Sequence, residues 1–187
     1  MFKTIQLFFV GLLLAGRAFA ADVYAIDPAH STLGFTAKHM MVSETTGTFD
    51  QFEGKITFDP QDLAAFKAEA AIQAQSINTR NEKRDGHLRS ADFFDIAQFP
   101  TITFASKSIT PAGEGYTMTG DLTMKGVTKE VSIPVTITGP VGSAIGLAGS
   151  FTLNRQDYGI TWNKTLDQGG LAVSNEIKVN INIEAKM

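Results

Sequence analysis

Hydrophobic and polar residues alternate one by one along most of the chain from Ala25 onward. This period of two is typical of antiparallel strands that bury one face and expose the other. The pattern recurs about eight times, which predicts an all-β fold, either one sandwich or one closed barrel. The positions expected to face inward include Leu33, Phe35, Ala37, His39, Ile56, Phe58, Ala68, Ala70, Ile72, Ile102, Phe104, Met118, Gly120, Leu122, Leu147, Phe151, Ile181 and Ile183.

The stretch from Asn78 to Phe99 breaks this alternation, because it is polar at first and then apolar at irregular spacing. Ser90 is a residue type that caps helices, so we expect a short helix over Ala91–Phe94. An excursion of this length in a compact β domain usually serves as a lid, a binding loop or an interface.

Residues 1–20 are expected to be a secretory signal peptide. A basic start at Lys3 precedes an apolar run over 5–14, and Ala18 and Ala20 offer small residues for cleavage before Ala21. The apolar run is too short for a comfortable membrane span. We therefore expect a single domain over residues 21–187, located in the periplasm and not spanning the membrane.

The composition excludes several classes of function. The chain has no cysteine, so it can form no disulfide, iron–sulfur cluster or thiol nucleophile. The formal net charge is −3, and it falls to −5 once Lys3 and Arg17 leave with the signal peptide. This acidic balance disfavours nucleic acid as a partner, because phosphate binding requires a basic surface.

The inward positions mix large rings such as Phe104 with small residues such as Ala70 and Gly120. Small residues can leave an elongated hollow inside a barrel, although neighbouring phenylalanines can also fill that space. A hollow of this kind selects apolar ligands, because each methylene group moved out of water contributes about 0.8 kcal/mol.

The three histidines offer only weak signals for chemistry. His30, His39 and His87 have no spacing that matches a zinc motif, so we expect no metal and no cofactor. Asp27, His30 and Ser31 lack a nucleophile elbow, and adjacent strand residues point to opposite faces. His39 shares the face of Phe35, where it can be a core histidine or a polar anchor for a ligand head group.

Several blocks in order along the mature chain resemble the YceI-like proteins. They are Asp27-x-x-His30-Ser31-x-x-x-Phe35, Lys38-His39-Met40-Met41-Val42-Ser43 with Gly47-Thr48-Phe49, Arg84-Asp85-x-His87-Leu88-Arg89-Ser90-x-Asp92-Phe93-Phe94-Asp95, Phe99-Pro100-Thr101-Ile102-Thr103-Phe104, Gly120-Asp121-Leu122-Thr123-Met124-Lys125-Gly126 and Asn154-Arg155-x-Asp157-Tyr158-Gly159. Tyr158 stands where the family often has Phe, and residues 142–146 form a shortened loop.

The resemblance implies an extended lipocalin-like antiparallel barrel with a short helical excursion. It also implies an interior that binds a polyisoprenoid or another long amphiphilic lipid, often in a homodimer. Taken together with the face alternation, it gives these expected ligand contacts: Phe35, His39, Phe58, Ile72, Ile102, Phe104, Leu122, Phe151, Tyr158 and Trp162.

We therefore predict a non-catalytic, periplasmic lipid-binding barrel. Two alternatives remain open from the sequence. One is an enzyme acting on an isoprenoid or a quinone, with His39 or His87 as the acid–base group. The other is a filled barrel that acts only as a stress-related interaction protein.

Overall fold

A computed structural model describes residues 21–166 and 169–187. The predicted signal peptide, residues 1–20, lies outside the described residues. The strands are β1 (Asp22–Ile26), β2 (Thr32–His39), β3 (Ser43–Phe49), β4 (Phe52–Phe58), β5 (Lys67–Gln73), β6 (Ile77–Asn78), β7 (Thr101–Ala112), β8 (Gly115–Met124), β9 (Val127–Val141), β10 (Ala144–Asn154) and β11 (Val173–Lys186). The α-helix is α1 (Glu82–Arg89), and short 3₁₀ turns cover Pro28–His30, Leu63–Ala65, Ala74–Ser76 and Arg155–Tyr158.

These segments combine into eight long strands that close into an antiparallel barrel. The first three long strands are each interrupted once, so that β1 continues into β2, β3 into β4 and β5 into β6. From β7 to β11 each strand pairs with the next. The barrel closes because β11 pairs with both β1 and β2, for example Ala185 with Ile26 and Val179 with Phe35. The prediction of an all-β barrel with about eight strands is confirmed, and the sandwich is wrong.

The up-and-down order gives the barrel two distinct ends. The upper end carries the β2–β3 turn, residues 79–100 with α1, the β8–β9 turn and the described residues of the β10–β11 connection, 155–166 and 169–172. The lower end carries the short connections after β4, β7 and β9 together with both ends of the domain.

The lower end is closed by packed apolar side chains. Tyr24, Ile56 and Phe58 are almost fully buried there. The ring of Phe58 meets Phe66 and Tyr116 edge to face, with centroids 6.4 Å and 6.5 Å away. Edge-to-face pairs at this separation add to the stabilisation that burial provides. The core therefore plugs the barrel at the end opposite α1.

The helix lies earlier in the chain than the sequence predicts. Asn81 caps α1, because its side-chain oxygen accepts a hydrogen bond from the Arg84 N–H at 3.0 Å. Ser90 ends the helix instead of starting one, since its N–H and its hydroxyl both donate to the His87 carbonyl. The prediction of a helix over Ala91–Phe94 is therefore wrong, and these residues form turns. Among the described residues, no helix has the length and apolarity needed to cross a membrane.

Candidate functional site

An apolar cavity of about 160 Å³ occupies the middle of the barrel. Apart from Glu69, every lining residue is apolar or glycine. The Glu69 carboxylate forms an ion pair with Lys55 (3.2 Å), and both side chains are about half exposed. We call this space the inner cavity. The sequence left open whether phenylalanine rings fill the barrel, and the inner cavity shows that they do not.

Small residues create this space and also decide where the rings lie. Ala70 on β5 sits between Gly54 on β4 and Phe104 on β7. The Phe104 ring lies over Gly120, where an added Cβ would come within 2.6 Å of the ring edge. Only glycine allows this close approach, so Phe104 leans along the wall and the space in front of Ala70 stays open.

A second space of about 470 Å³ lies at the upper end, and we call it the vestibule. Phe35 lines both spaces, so its ring separates the inner cavity from the vestibule. Among the described residues, those lining the vestibule include no carboxylate. Its charged or titratable lining consists of Lys38, His39, Lys83, Arg84 and His87. The vestibule is therefore basic, in contrast to the acidic protein as a whole.

Hydrogen bonds to the backbone hold α1 across the upper end. The buried carboxylate of Asp85 accepts bonds from the N–H and the hydroxyl of Thr79. The Arg84 guanidinium donates to the Thr79 hydroxyl and carbonyl at 2.7 Å and 2.8 Å. Arg89 donates to the Gln75 and Ile77 carbonyls and forms its ion pair with Glu82. These bonds fix the helix to residues 75–79, the segment that contains β6.

An aromatic wall joins α1 to the loop over 155–172. The His87 ring meets Phe93 and Trp162 edge to face, at centroid distances of 5.0 Å and 4.8 Å. His87 Nε2 lies 2.8 Å from a carboxylate oxygen of Asp92. Trp162 is the chain's one tryptophan, so its fluorescence reports on the vestibule alone.

The structure brings eight of the ten expected contacts to these two spaces. Phe35, Ile72, Ile102, Phe104, Leu122 and Phe151 line the inner cavity. His39 and Trp162 line the vestibule. These residues therefore line two adjoining spaces that have Phe35 in common, and their contact with a ligand stays a prediction.

Phe58 and Tyr158 line neither space. Phe58 belongs to the plug at the lower end. Tyr158 is buried in the 3₁₀ turn after β10, packed with residues such as Ile102 and Ile160. Burial there raises the pKa of the Tyr158 hydroxyl. Asn154 caps the same turn, because its side-chain oxygen accepts a hydrogen bond from the Gln156 N–H.

The sequence reading missed the helix side of the vestibule. Lys83 and Leu88 line it because α1 lies across the upper end. The sequence contains the residue that caps this helix, Asn81, but Ser90 is an equally suitable capping residue further along the chain. Phe49 and Val179 line the inner cavity but were not among the expected ligand contacts, although their strands show the same alternation.

Two of the three histidines, His39 and His87, line the vestibule. His30 lies outside the barrel, where its Nδ1 is 2.8 Å from Asp27. Lys186 Nζ lies 2.6 Å from the same carboxylate and, with His30, holds the pKa of Asp27 well below its usual range. The neighbouring Ser31 hydroxyl donates to the Glu184 carbonyl. Asp27, His30 and Glu184 have the separations of a metal site, but Lys186 already occupies the shared carboxylate.

The turn between β2 and β3 exposes consecutive apolar side chains beside the vestibule. Met40, Met41 and Val42 are 41%, 69% and 85% exposed. Met40 and Met41 adopt φ angles of 54° and 63°, in the left-handed region. This conformation costs roughly 1–2 kcal/mol for a residue other than glycine. Asparagine and glycine are the residues that a tight turn of this kind favours.

An eight-stranded antiparallel barrel, closed at one end and hollow toward the other, defines the lipocalin-like class of small-ligand barrels. Within that class the chain belongs to the YceI-like family, whose model, the YceI-like domain, matches residues 24–185. A UPF0312 protein of Staphylococcus aureus strain MRSA252 is 42% identical over 167 residues, which cover 86% of this chain and 95% of the relative.

Solved structures agree with this assignment. BcnA of Burkholderia cenocepacia superposes with a TM-score of 0.78 at 28% identity, covering 86% of this chain and 99% of BcnA. The YCEI protein of Campylobacter jejuni gives 0.68 at 33% identity, covering 80% and 89% of the two chains. A polyisoprenoid binding domain from Saccharophagus degradans gives 0.69 at 17% identity, over 90% and 99%, and shows the same fold.

Proposed function

We propose that this protein binds a long isoprenoid or similar amphiphilic lipid and performs no chemistry on it. The tail lies in the inner cavity, and the head group lies in the vestibule. One observation carries the proposal: an apolar cavity inside a closed barrel adjoins a basic vestibule at Phe35, which lines both spaces. A space that is apolar at one end and charged at the other matches an amphiphile with one charged end.

The inner cavity accounts for the tail. Apolar cavities of about 150 Å³ stay dry and bind molecules the size of benzene. The inner cavity, at about 160 Å³, therefore holds the end of a hydrocarbon chain. The remainder of a long chain runs past Phe35 into the vestibule, which is about 470 Å³. Each buried methylene group adds about 0.8 kcal/mol, so a chain needs few polar contacts for high affinity.

The vestibule accounts for the head group. Lys83 and Arg84 bring positive charge to a space with no lining carboxylate among the described residues, and Lys38 adds a third cation at its edge. Cations in such an arrangement favour phosphate or carboxylate groups through charge-assisted hydrogen bonds. The head group is therefore anionic in this proposal, and His39 and His87 supply further donors.

The sequence supports the location and assembly in this proposal. The signal peptide predicted over residues 1–20 supports export to the periplasm, where a hydrocarbon chain cannot cross the aqueous gap unaided. The resemblance to the YceI-like proteins supports a homodimer, which sedimentation velocity tests directly. The Saccharophagus degradans domain of the same fold is a polyisoprenoid binding domain, which supports the same ligand class here.

Titration of Trp162 fluorescence tests the proposal. A long-chain prenyl phosphate should change the emission saturably, at one molecule per barrel. The uncharged prenyl alcohol of equal length should bind about tenfold or more weakly, because it lacks the charge-assisted bonds. Gel filtration followed by lipid extraction measures bound ligand independently. If neither compound changes the emission or elutes with the protein, the proposal is wrong.

The enzyme alternative keeps one supporting observation. His39 and His87 both line the vestibule, and Asp92 lies 2.8 Å from His87 Nε2, as a carboxylate that orients a base would. An enzyme predicts that His87→Ala leaves lipid binding intact and stops turnover of a bound isoprenoid. The binding proposal predicts that extracted lipid is chemically unchanged after incubation with either form. The inner cavity argues against the filled-barrel alternative, which requires a packed interior.

A further inference from the structure

We propose that the β2–β3 turn, Met40-Met41-Val42, is a membrane-docking tip that seats the vestibule on an anionic bilayer surface. This inference rests on the proposed function, because docking serves to pass a lipid chain between the bilayer and the barrel.

The first argument is a run of consecutive exposed apolar side chains at the upper end. Large hydrophobic side chains are more than a third exposed at seven positions in the described part of the chain. Three of them are consecutive in the tip, and Leu171 lies in the adjoining loop. The Met40 N–H donates to the Ala172 carbonyl at 2.9 Å, so the turn and the loop form one surface. An exposed apolar cluster beside a ligand opening is a mark of an interaction site.

The second argument is the conformation of the tip. Met40 and Met41 hold left-handed φ angles that a glycine or an asparagine would adopt with less strain. The sequence therefore places large flexible side chains where the fold itself prefers small ones. Strain of this kind points to a role outside folding. Methionine suits a fluid apolar surrounding, because its unbranched thioether adapts to irregular contacts.

The third argument identifies the partner as a bilayer. Lys38 lies on β2 two residues before Met40, and the exposed Lys83 lines the same vestibule from α1. Lys164 is exposed in the same loop as Ala172. The Lys164 carbonyl accepts a hydrogen bond from the Ala172 N–H, and the Ala172 carbonyl accepts one from the Met40 N–H. Glu44 lies across from Lys38 and offsets one of these charges. Exposed apolar side chains with lysines nearby favour an anionic bilayer. The apolar side chains insert into it, and its negative charge attracts each nearby lysine.

Docking through the tip also fits the path of the ligand. His39, next to Met40, lines the vestibule, so the opening stands beside the tip. A bilayer that receives Met41 and Val42 would therefore face the basic vestibule at the level of its head groups. A hydrocarbon chain can then move between the two without crossing water.

Vesicle flotation of the full protein tests the inference. The vesicles contain phosphatidylglycerol and phosphatidylcholine in equal amounts, with phosphatidylcholine alone for comparison. The test variant is Met40→Asn/Met41→Gly/Val42→Thr, which removes the apolar surface while keeping a turn that Asn-Gly favours. The matched control is Val141→Thr, because Val141 is 75% exposed at the lower end of the barrel.

We expect the protein and Val141→Thr to float with the anionic vesicles. The triple variant should bind them about tenfold or more weakly, because it loses the apolar insertion. Trp162 titration with the prenyl phosphate in vesicle-free buffer should be the same for all three proteins. Equal flotation of the triple variant, or no flotation of the unaltered protein, overturns the inference. Loss of self-association as the sole change also overturns it, since the tip would then bind a second copy.

The two proposals fail separately in this design. Absence of the Trp162 response in every variant contradicts lipid binding by the barrel, whatever the flotation result. A normal Trp162 response with tip-independent flotation contradicts only the docking tip.

Discussion

Replacing Ala70 by leucine tests whether the inner cavity holds the hydrocarbon tail. The added side chain has three more carbon atoms and would project into a cavity of about 160 Å³ beside Phe104. Those carbons displace about three methylene groups of the ligand, at about 0.8 kcal/mol each. The affinity for a long prenyl phosphate should therefore fall by about 2.4 kcal/mol, or about sixtyfold. Because the leucine fills empty space, the Tm should stay equal or rise, unlike the loss seen on overpacking a full core.

The matched control is Ala71→Leu, the same substitution one residue further along β5. Ala71 lies on the opposite face, across from Glu53 and Thr103, and does not line the cavity. Trp162 titration measures the affinity of both variants, and thermal unfolding by circular dichroism measures their stability. Unchanged affinity in a folded Ala70→Leu protein would refute the placement of the tail. An equal loss in both variants would show that the effect does not arise in the cavity.

Three further variants test the tail, the head group and the stability of the barrel. Phe104→Asp should abolish lipid uptake, because it places an unpaired charge in the inner cavity; normal lipid occupancy in the folded variant contradicts this. Lys83→Gln should weaken binding of the prenyl phosphate and spare that of the alcohol, whereas Lys67→Gln at the lower end should spare both. Asp27→Asn should lower the Tm at neutral pH, since the carboxylate accepts from Lys186 at 2.6 Å. The lowered pKa of Asp27 makes this contribution present above about pH 4 and lost below it, so the Tm gap should close in acid; a gap independent of pH contradicts the ion pair.

Local periodicity predicted which residues line the inner cavity, but it left open whether that space is hollow or filled. Side chains alternate across a strand, so Phe35, Phe104 and Phe151 could be assigned to one side from the sequence alone. The alternation does not show how far along the barrel axis an inward side chain lies. Phe58 follows the same alternation as Phe104, yet it lies in the plug at the lower end.

The vestibule depends on contacts between distant parts of the chain, so the sequence predicted it poorly. Both Asn81 and Ser90 are capping residues, and the bond from the Arg84 N–H to the Asn81 side chain shows that Asn81 starts the helix. Lys83 reaches the vestibule through that helix. The prediction that Trp162 contacts the ligand rests in part on the family resemblance, because the loop after β10 has no alternation of polar and apolar residues.

Native mass spectrometry of the protein purified from the cells that produce it tests the central claim most directly. Lipid extracted from the same sample identifies any bound molecule. We predict one long-chain adduct per barrel, with an isoprenoid or similar tail and an anionic head group. A clean mass without adduct, in conditions that preserve other lipid complexes, would contradict the claim that this barrel binds lipid.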